Sequence, residues 1–235
     1  MSTQSSPKKL APSGIDFTPT IHSETYDFVK PSQFDLSGRA VFITGASKGI
    51  GRETALSYAK AGTSFIAVGA RSSLDSIEKD LAAAAKAAGR KEPKVLAVKV
   101  DVEDNASVEA AAKKVEESFG RLDILINNAG YAEKFTSILD SDPEEWRRSY
   151  MINVVGLYQV TKAFLPLVLK TQDDLKEIVN LSSIGAFLTN PGGSAYKPGK
   201  LAVLRFGEFI HAEYPEVLSL GLRQYSPNAV FIVLH

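Results

Sequence analysis

Residues 40–51 read AVFITGASKGIG, a short apolar run followed at once by a glycine-rich turn. The run has the length of a buried strand, and a helical pattern begins directly after the turn. Glycines in such a turn allow a sharp bend and a close approach of backbone N–H groups to a pyrophosphate. The helix N-terminus adds free donors and a partial positive charge. We interpret the segment as a strand–turn–helix unit that binds a dinucleotide, the alternative being an ordinary glycine-rich turn.

The same alternation of short apolar runs and longer helical patterns continues from Arg39 onward. It is typical of βαβ units and a parallel sheet. Strands are predicted at 40–44, 65–69, 95–100, 124–127, 178–181 and 230–234, and helices at 50–61, 74–88, 106–119, 143–169 and 195–214. Right-handed crossovers would then give an α/β fold with a doubly wound parallel sheet of the Rossmann type. Ligands bind beyond the carboxyl ends of the strands in such sheets.

The chain divides into an arm and one domain. Residues 1–38 are rich in Ser, Pro and Thr and lack a sustained period, so we expect an N-terminal arm that is partly loose and partly draped over the domain. Tyr26, Phe28 and Phe34 are its candidate anchors. Residues 39–235 would form a single NAD(P)-binding domain, which suits a total length of 235 residues.

Composition excludes several classes of protein. Lys plus Arg and Asp plus Glu both number 27, and a chain without net charge is a poor candidate for binding nucleic acid. The absence of Cys excludes disulfide scaffolds and thiolate sites, and three scattered histidines argue against a metal site. We find neither a secretory signal nor a run of about 18 uncharged apolar residues. We therefore expect a soluble cytoplasmic protein that does not associate with membranes.

The end of the second predicted strand indicates which cofactor is used. An acidic residue normally stands there and binds the ribose diol of NAD. Here the sequence AVGARS, residues 67–72, has no acid and one arginine. The guanidinium of Arg71 suits a 2′-phosphate, and Lys48 adds a second positive charge, so the pair favours NADP(H) over NAD(H). The alternative is two solvated surface cations.

Candidate catalytic side chains follow the later strands. Tyr196 and Lys200 are four residues apart and share a face if a helix starts there. An ammonium favours the phenolate, and moving a phenol pKa from about 10 to near 7 takes roughly 4 kcal/mol. Ser183 lies 13 residues before Tyr196, where a hydroxyl would hydrogen-bond a substrate oxygen. Asn153 lies inside a predicted helix, where an amide is disfavoured, and the alternative is a local kink or a packing contact.

Together these motifs resemble the short-chain dehydrogenase/reductase family, in the family's order and over residues 37–204. The resemblance is carried by the following motifs: T-G-x-x-x-G-I-G at 44–51, Asp101-Val102, Asn127-Asn128-Ala129-Gly130, Asn153, Ser183, and Tyr196 with Lys200. It implies hydride transfer between the nicotinamide of NADP(H) and a small-molecule carbonyl or secondary alcohol.

The resemblance also implies a role for each matching position. Tyr196 would be the general acid/base, and Lys200 would lower its pKa and hold the nicotinamide ribose. Ser183 would position the substrate oxygen, and Asn153 would support a water-mediated proton relay to Lys200. Asp101 would hydrogen-bond the adenine, and residues 128–130 would line the adenosine ribose. The full cofactor-binding set would be Gly45, Ser47, Lys48, Gly49, Ile50, Gly51, Arg71, Asp101, Val102, Asn128, Ala129, Gly130, Tyr196 and Lys200, with no metal.

The predicted strand 230–234 stands at the end of the sequence, whereas family members continue with a Pro-Gly turn, a substrate-covering loop, a helix and a seventh strand. We therefore expect a C-terminally short domain, preceded by an unusually long link at 214–228. Two alternatives to an active oxidoreductase stay open: an inactive nucleotide-binding protein and a dimerisation protein. Helices 143–169 and 195–214 commonly pair across a two-fold axis in the family, so we expect a homo-oligomer.

Overall fold

The computed structural model describes residues 27–172 and 175–224. Six strands form one parallel sheet in the order β3-β2-β1-β4-β5-β6. The strands are β1 (Ala40–Thr44), β2 (Phe65–Ala70), β3 (Lys94–Lys99), β4 (Ile124–Asn127), β5 (Glu177–Ser183) and β6 (Leu218–Gln224). The α-helices are α1 (Gly49–Lys60), α2 (Ile77–Ala87), α3 (Asn105–Phe119), α4 (Pro143–Tyr150), α5 (Leu157–Lys170) and α6 (Tyr196–Glu213). The chain winds outward from β1 in both directions, which confirms the doubly wound α/β prediction.

Both faces of the sheet are covered, and this explains the continuous apolar strands. On one face Phe42 of β1 stacks on Phe164 of α5, with ring centroids 4.2 Å apart. On the other face Ile43 packs in a cluster with Tyr58 of α1 and Leu81 of α2. All five side chains are fully buried, so β1 is held in the centre of the molecule from both sides.

The helix predicted at 143–169 consists of three pieces. Asp142 caps α4 by accepting a hydrogen bond of 2.9 Å from the Glu144 amide, and Pro143 takes the first helical position. A π-helical turn, Met151–Gly156, then separates α4 from α5. The combined stretch is long and apolar enough to cross a membrane by length and composition, but 50% of its most apolar window is buried in this molecule. A buried core helix passes the same test.

The prediction of strand six at 230–234 is wrong as to position, because the place beside β5 is taken by β6. Its register runs from Leu218 opposite Glu177 to Gln224 opposite Ser183. Only residues 214–217 separate α6 from this strand, so the long link expected there is also wrong. The alternation of leucines with Ser219, Gly221 and an arginine resembles a loop in sequence, yet it suits a strand at the edge of the described sheet. Residues 230–234 lie outside the described part of the chain.

The described part of the N-terminal arm packs against residues that precede β2 and β3. The guanidinium of Arg90 hydrogen-bonds the carbonyl of Phe34, and the amide of Leu36 donates to the Ala61 carbonyl at 2.9 Å. Phe34 is half-buried and fits the expected anchor, whereas Phe28 is 73% exposed. The third candidate, Tyr26, lies outside the described residues.

Candidate active site

The glycine-rich turn is tied to the end of β4. The Thr44 hydroxyl accepts hydrogen bonds of 3.0 Å from the amides of Asn128 and Ala129. The Asn128 side chain donates to the Thr44 carbonyl at 2.8 Å and to the Gly45 carbonyl at 3.1 Å. A Cβ at Gly51 would lie 2.4 Å from Asn128 Nδ2 and 2.5 Å from the Gly45 oxygen, so only glycine fits there. Two neighbouring elements therefore hold the turn in one conformation.

A cavity of about 440 Å³, the turn cavity, opens above this turn. It lies beyond the carboxyl ends of β1, β2, β3 and β4, which is where ligands bind in doubly wound sheets. Its lining includes these members of the predicted cofactor set: Gly45, Ser47, Lys48, Gly49, Arg71, Val102, Asn128, Ala129 and Gly130. Gly51 is buried beneath the turn, and the carboxylate of Asp101 accepts the Glu103 amide at 3.1 Å beside the cavity.

Acidic side chains accompany the arginine of the turn cavity. Arg71 Nη1 donates to Glu103 Oε2 at 3.2 Å and lies 3.8 Å from Asp101 Oδ2. Glu103 also lies 3.8 Å from Arg148 Nε, so one carboxylate stands between two guanidinium groups. Lys48 is exposed at the start of α1. The rim of the turn cavity thus carries two cations that can bind an anion, Arg71 and Lys48. Arg71 is already paired with Glu103.

A second cavity of about 230 Å³, the tyrosine cavity, contains both Tyr196 and Lys200. It shares Asn128, Gly130 and Tyr131 with the turn cavity, so the two form one crevice across the carboxyl edge of the sheet. The rest of its lining is Ile50, Ala132, Leu181 and Ser182. The crevice therefore joins the turn to the predicted catalytic pair.

Lys200 is buried at the base of the tyrosine cavity, with 5% of its surface exposed. Its ammonium donates to the Leu181 carbonyl at 2.7 Å and lies 5.7 Å from the centroid of the Tyr196 ring. Burial lowers the pKa of Lys200 from 10.5 to about 8. The Ser182 hydroxyl donates to the Lys200 carbonyl at 2.7 Å and links β5 to α6. The spacing of four residues thus places phenol and amine on one face of α6.

Ser183 lies near Tyr196, at the end of β5. Its hydroxyl accepts the Gly185 amide at 3.1 Å. A Cβ at Gly185 would lie 3.3 Å from Ser183 Oγ and 3.9 Å from Tyr196 Cε1, so both side chains border this glycine. A substrate oxygen brought to this place would lie near the Ser183 hydroxyl and the Tyr196 ring.

Asn153 is buried in the π-helical turn and holds the loop after β4. Its Nδ2 donates to the carbonyl of Tyr131 and, at 2.7 Å, to that of Ser149. Its Oδ1 accepts the Tyr131 amide at 3.3 Å. A Cβ at Gly130 would lie 3.1 Å from Asn153 Oδ1 and 3.5 Å from Lys200 Nζ, so amide and amine approach the same glycine. The packing contact that was the alternative role for Asn153 is therefore present. The same side chain also reaches the glycine that Lys200 Nζ approaches.

Sequence reasoning missed Glu133, which is 6% exposed. Its Oε1 accepts the amides of Ala195 and Tyr196 at 3.0 and 3.1 Å. The signal that could have found it is the lack of a capping residue at Ala195, since Ser, Thr, Asp and Asn are preferred at that position. A third cavity of about 550 Å³ has Ile138, Leu139, Leu188, Pro191 and Leu201 among its lining residues.

Comparison with known proteins agrees with this geometry. The family model described as short chain dehydrogenase matches residues 39–217. The Short chain dehydrogenase pigC of Monascus ruber is 49% identical over 203 residues, covering 86% of this chain and 66% of that protein. This chain thus spans just under two thirds of that relative's length.

Solved structures of similar fold include two from microorganisms. The alcohol dehydrogenase of the archaeon Thermococcus sibiricus, complexed with 5-hydroxy-NADP, has a TM-score of 0.70 and 31% identity, covering 79% of this chain and 75% of that one. The 3-oxoacyl-[acyl-carrier protein] reductase of Brucella melitensis, in complex with NAD, has a TM-score of 0.71 and 25% identity, covering 79% and 72%. With the family model matched from β1 to the start of β6, the chain belongs to the short chain dehydrogenase family.

Proposed function

We propose that this protein is an oxidoreductase that transfers hydride between NADP(H) and a carbonyl or secondary alcohol group of a small molecule. The observation that carries the proposal is the position of Tyr196, which lines one end of a crevice together with buried Lys200 and borders Gly185 together with Ser183. The other end of that crevice is the glycine-rich turn. The crevice thus joins a proposed proton donor, Tyr196, to a turn that is suited to bind an anion.

The crevice residues fit a nicotinamide dinucleotide. Gly45 and Gly49 have φ values of +68° and +59°, and a Cβ at Gly45 would lie 2.9 Å from Ala129 Cα. The turn is therefore bare backbone next to the N-terminus of α1, which suits a pyrophosphate. At the far end, Lys200 and Tyr196 would hold the nicotinamide ribose. The cofactor, when bound, accepts or supplies the hydride.

The protein itself would manage the proton. In the reducing direction, the Tyr196 hydroxyl gives its proton to the carbonyl oxygen, and in the oxidising direction the phenolate takes the alcohol proton. The Lys200 ammonium stabilises the phenolate left behind, and the Ser183 hydroxyl donates a hydrogen bond to the reacting oxygen. Asn153 would support the return of the proton to Lys200 through water.

NADP(H) is the proposed form of the cofactor because Arg71 and Lys48 border the turn cavity. A 2′-phosphate would compete with Glu103 for the Arg71 guanidinium, and charge-assisted bonds to phosphate are among the stronger polar contacts. NAD(H) offers no such anion at this position. Asp101 remains the proposed adenine partner.

The decisive experiment is Tyr196→Phe, assayed as NADPH consumption across a panel of aldehydes and ketones. We expect turnover to fall by about 100-fold or more, while calorimetry still detects NADPH binding, weakened by less than about tenfold because one hydrogen bond to the ribose is lost. Tyr158→Phe, an exposed phenol on α5, is the control and should retain full activity. Unchanged turnover in the Tyr196 variant would reject the mechanism.

The two alternatives make different predictions. An inactive nucleotide-binding protein would bind NADPH without any turnover, and it is less favoured because the phenol and the amine line one cavity and the Ser183 hydroxyl borders the same glycine as the Tyr196 ring. A protein whose role is dimerisation would sediment as an oligomer, and a monomer would exclude that role. A homo-oligomer and a cytoplasmic location stay predictions for this chain.

A further inference from the structure

Tyr196 is the first residue of α6, and the segment before it supplies no side-chain cap. Ala195 stands at the capping position, where no side-chain hydrogen bond is made. Pro198, in the first turn, has no amide hydrogen to offer. Ser194 points elsewhere, since its hydroxyl accepts Trp146 Nε1 at 3.1 Å. The backbone of the catalytic tyrosine therefore depends on a partner from another part of the chain.

Glu133 is that partner, and it reaches α6 from the loop after β4. One of its oxygens accepts the amides of both Ala195 and Tyr196. Burial raises the pKa of the Glu133 carboxyl, but the nearby Ser149 side chain and the backbone amides of Ala195 and Tyr196 outweigh burial and lower the pKa overall. The group is thus ionised at neutral pH, and the positive end of the α6 dipole adds to its stabilisation.

Segment 131–133 connects this cap to Asn153. Asn153 binds both the amide and the carbonyl of Tyr131, and two residues later Glu133 binds the amide of Tyr196. The π-helical turn and the start of α6 are therefore joined through three consecutive residues. A shift of this segment would move Tyr196 relative to Lys200, whose own position is set by the Leu181 carbonyl.

We propose that Glu133 is a positioning residue of this active site, whose buried carboxylate fixes the first turn of α6 so that Tyr196 faces Ser183 and Lys200. The inference rests on the proposed function, and it assigns to Glu133 an effect on the chemical step. Misplacement of a reacting group by about 1 Å can cost on the order of 100-fold in rate. Glu133 acts through the backbone of Tyr196 and contacts neither substrate nor cofactor.

The test compares Glu133→Ala with Glu133→Gln. Alanine removes the acceptor, so we expect kcat to fall by about 10- to 100-fold with KM for the carbonyl substrate changed less than about threefold. Glutamine keeps a carbonyl oxygen at the same place, so kcat should stay within about fivefold of wild type. This rescue separates positioning from a general loss of stability.

Asp104→Ala is the matched control, because the exposed Asp104 caps α3 by accepting the Ala106 amide at 3.0 Å and lines neither cavity of the crevice. Its removal should cost stability of the same order without a change in kcat. Thermal unfolding of all variants gives the folded fraction on which kcat is calculated. Equal kcat for folded Glu133→Ala and Asp104→Ala would overturn the proposal.

Hydrogen exchange decides the proposal if the wild-type chain shows no turnover, an outcome that would contradict the proposed function alone. We expect the amides of Ala195 and Tyr196 to exchange about tenfold faster in Glu133→Ala than in wild type, and to keep their protection in Glu133→Gln. Unchanged exchange in the alanine variant would show that Glu133 does not hold α6.

Discussion

Arg71 is the residue on which the choice of cofactor depends in our proposal. It lies on the turn cavity, yet Glu103 and Asp101 already surround its guanidinium. The sequence placed a cation at the end of β2. It did not indicate that Asp101 and Glu103, which follow β3, would pair with that cation. Arg71 therefore has two available partners, the carboxylates when the site is empty and a phosphate when it is filled.

We expect Arg71→Ala to weaken NADPH binding by about 10- to 100-fold, the range for losing one or two charge-assisted hydrogen bonds. NADH affinity, measured by the same calorimetric titration, should change less than about twofold and serves as the internal control. Glu103→Gln should tighten NADPH binding, because it removes the competing carboxylate. Equal losses for NADH and NADPH in the arginine variant would contradict the assignment.

Lys200 makes folding stability depend on pH. Its pKa is about 8 in the folded protein and 10.5 ordinarily, so between these values the unfolded state binds more protons than the folded state. The free energy of unfolding should then rise with pH through this range, as the cost of the buried charge is relieved. The increase should be about 3 kcal/mol at most.

Urea unfolding of wild type and Lys200→Met, measured from about pH 7 to about pH 10, isolates this contribution. The stability of wild type relative to the methionine variant should increase over that range. Lys86→Met, which removes an exposed lysine on α2, is the control and should give a constant difference. A constant difference for Lys200→Met as well would contradict the linkage.

At the scale of elements, the π-helical turn between α4 and α5 is the feature that sequence periodicity could not define. The sequence predicted one helix with an anomalous Asn153, and the structure confirms the helix while changing its hydrogen-bonding pattern around that residue. The Asn153 side chain satisfies the backbone N–H of Tyr131 and shares the Tyr131 carbonyl with the Ser149 hydroxyl, which donates to it at 3.3 Å. Such turns are frequent at functional sites.

Asn153→Ala should therefore destabilise the protein by about 1–3 kcal/mol, since it removes the Asn153 partner of the partly buried Tyr131 amide and leaves the Tyr131 carbonyl with the Ser149 hydroxyl alone. Kcat should fall as well if the proposed relay is correct. Asn105→Ala on the exposed start of α3 is the control, with an expected change within about 0.5 kcal/mol. Chemical denaturation measures the free energy of unfolding of both variants. Equal losses of stability in the two variants would contradict the prediction.

For the whole molecule, exposed apolar side chains on α5 and α6 favour self-association. Tyr158, Leu201 and Phe209 are 47%, 47% and 57% exposed on these adjacent helices. Tyr158 also contacts Phe206 edge-on, so the aromatic surface runs across both elements. The prediction of a homo-oligomer rests on this surface and on the helix pairing that the family resemblance leads us to expect.

Sedimentation of wild type and Phe209→Glu tests the homo-oligomer. We expect wild type to sediment as a dimer or larger species and the variant to dissociate, because a charge would be buried in an apolar interface. Glu213→Gln, an exposed change at the end of α6, should leave the assembly intact. A monomeric wild type would contradict the prediction at once.

The predicted strands agree with the structure where apolar runs are bounded by clear turn residues. The bounds of β1 and β4 were predicted to the residue, because glycine follows one run and asparagines end the other. The prediction failed for β6, whose alternating Leu, Ser and Gly become a strand only because β5 offers an unpaired edge. The local sequence pattern thus favoured residues 230–234 as the sixth strand, whereas residues 218–224 pair with β5.

The sequence by itself determined what neighbouring residues decide among themselves: the strand–turn–helix unit at 40–51 and the common face of Tyr196 and Lys200. Helix and strand periods make those relations local. Tertiary structure alone decided that Glu133 caps α6, that Asn153 braces Tyr131 and that Glu103 pairs with Arg71. These contacts join residues 22–63 positions apart, and their geometry exists only after the strands have paired and brought their loops to one edge.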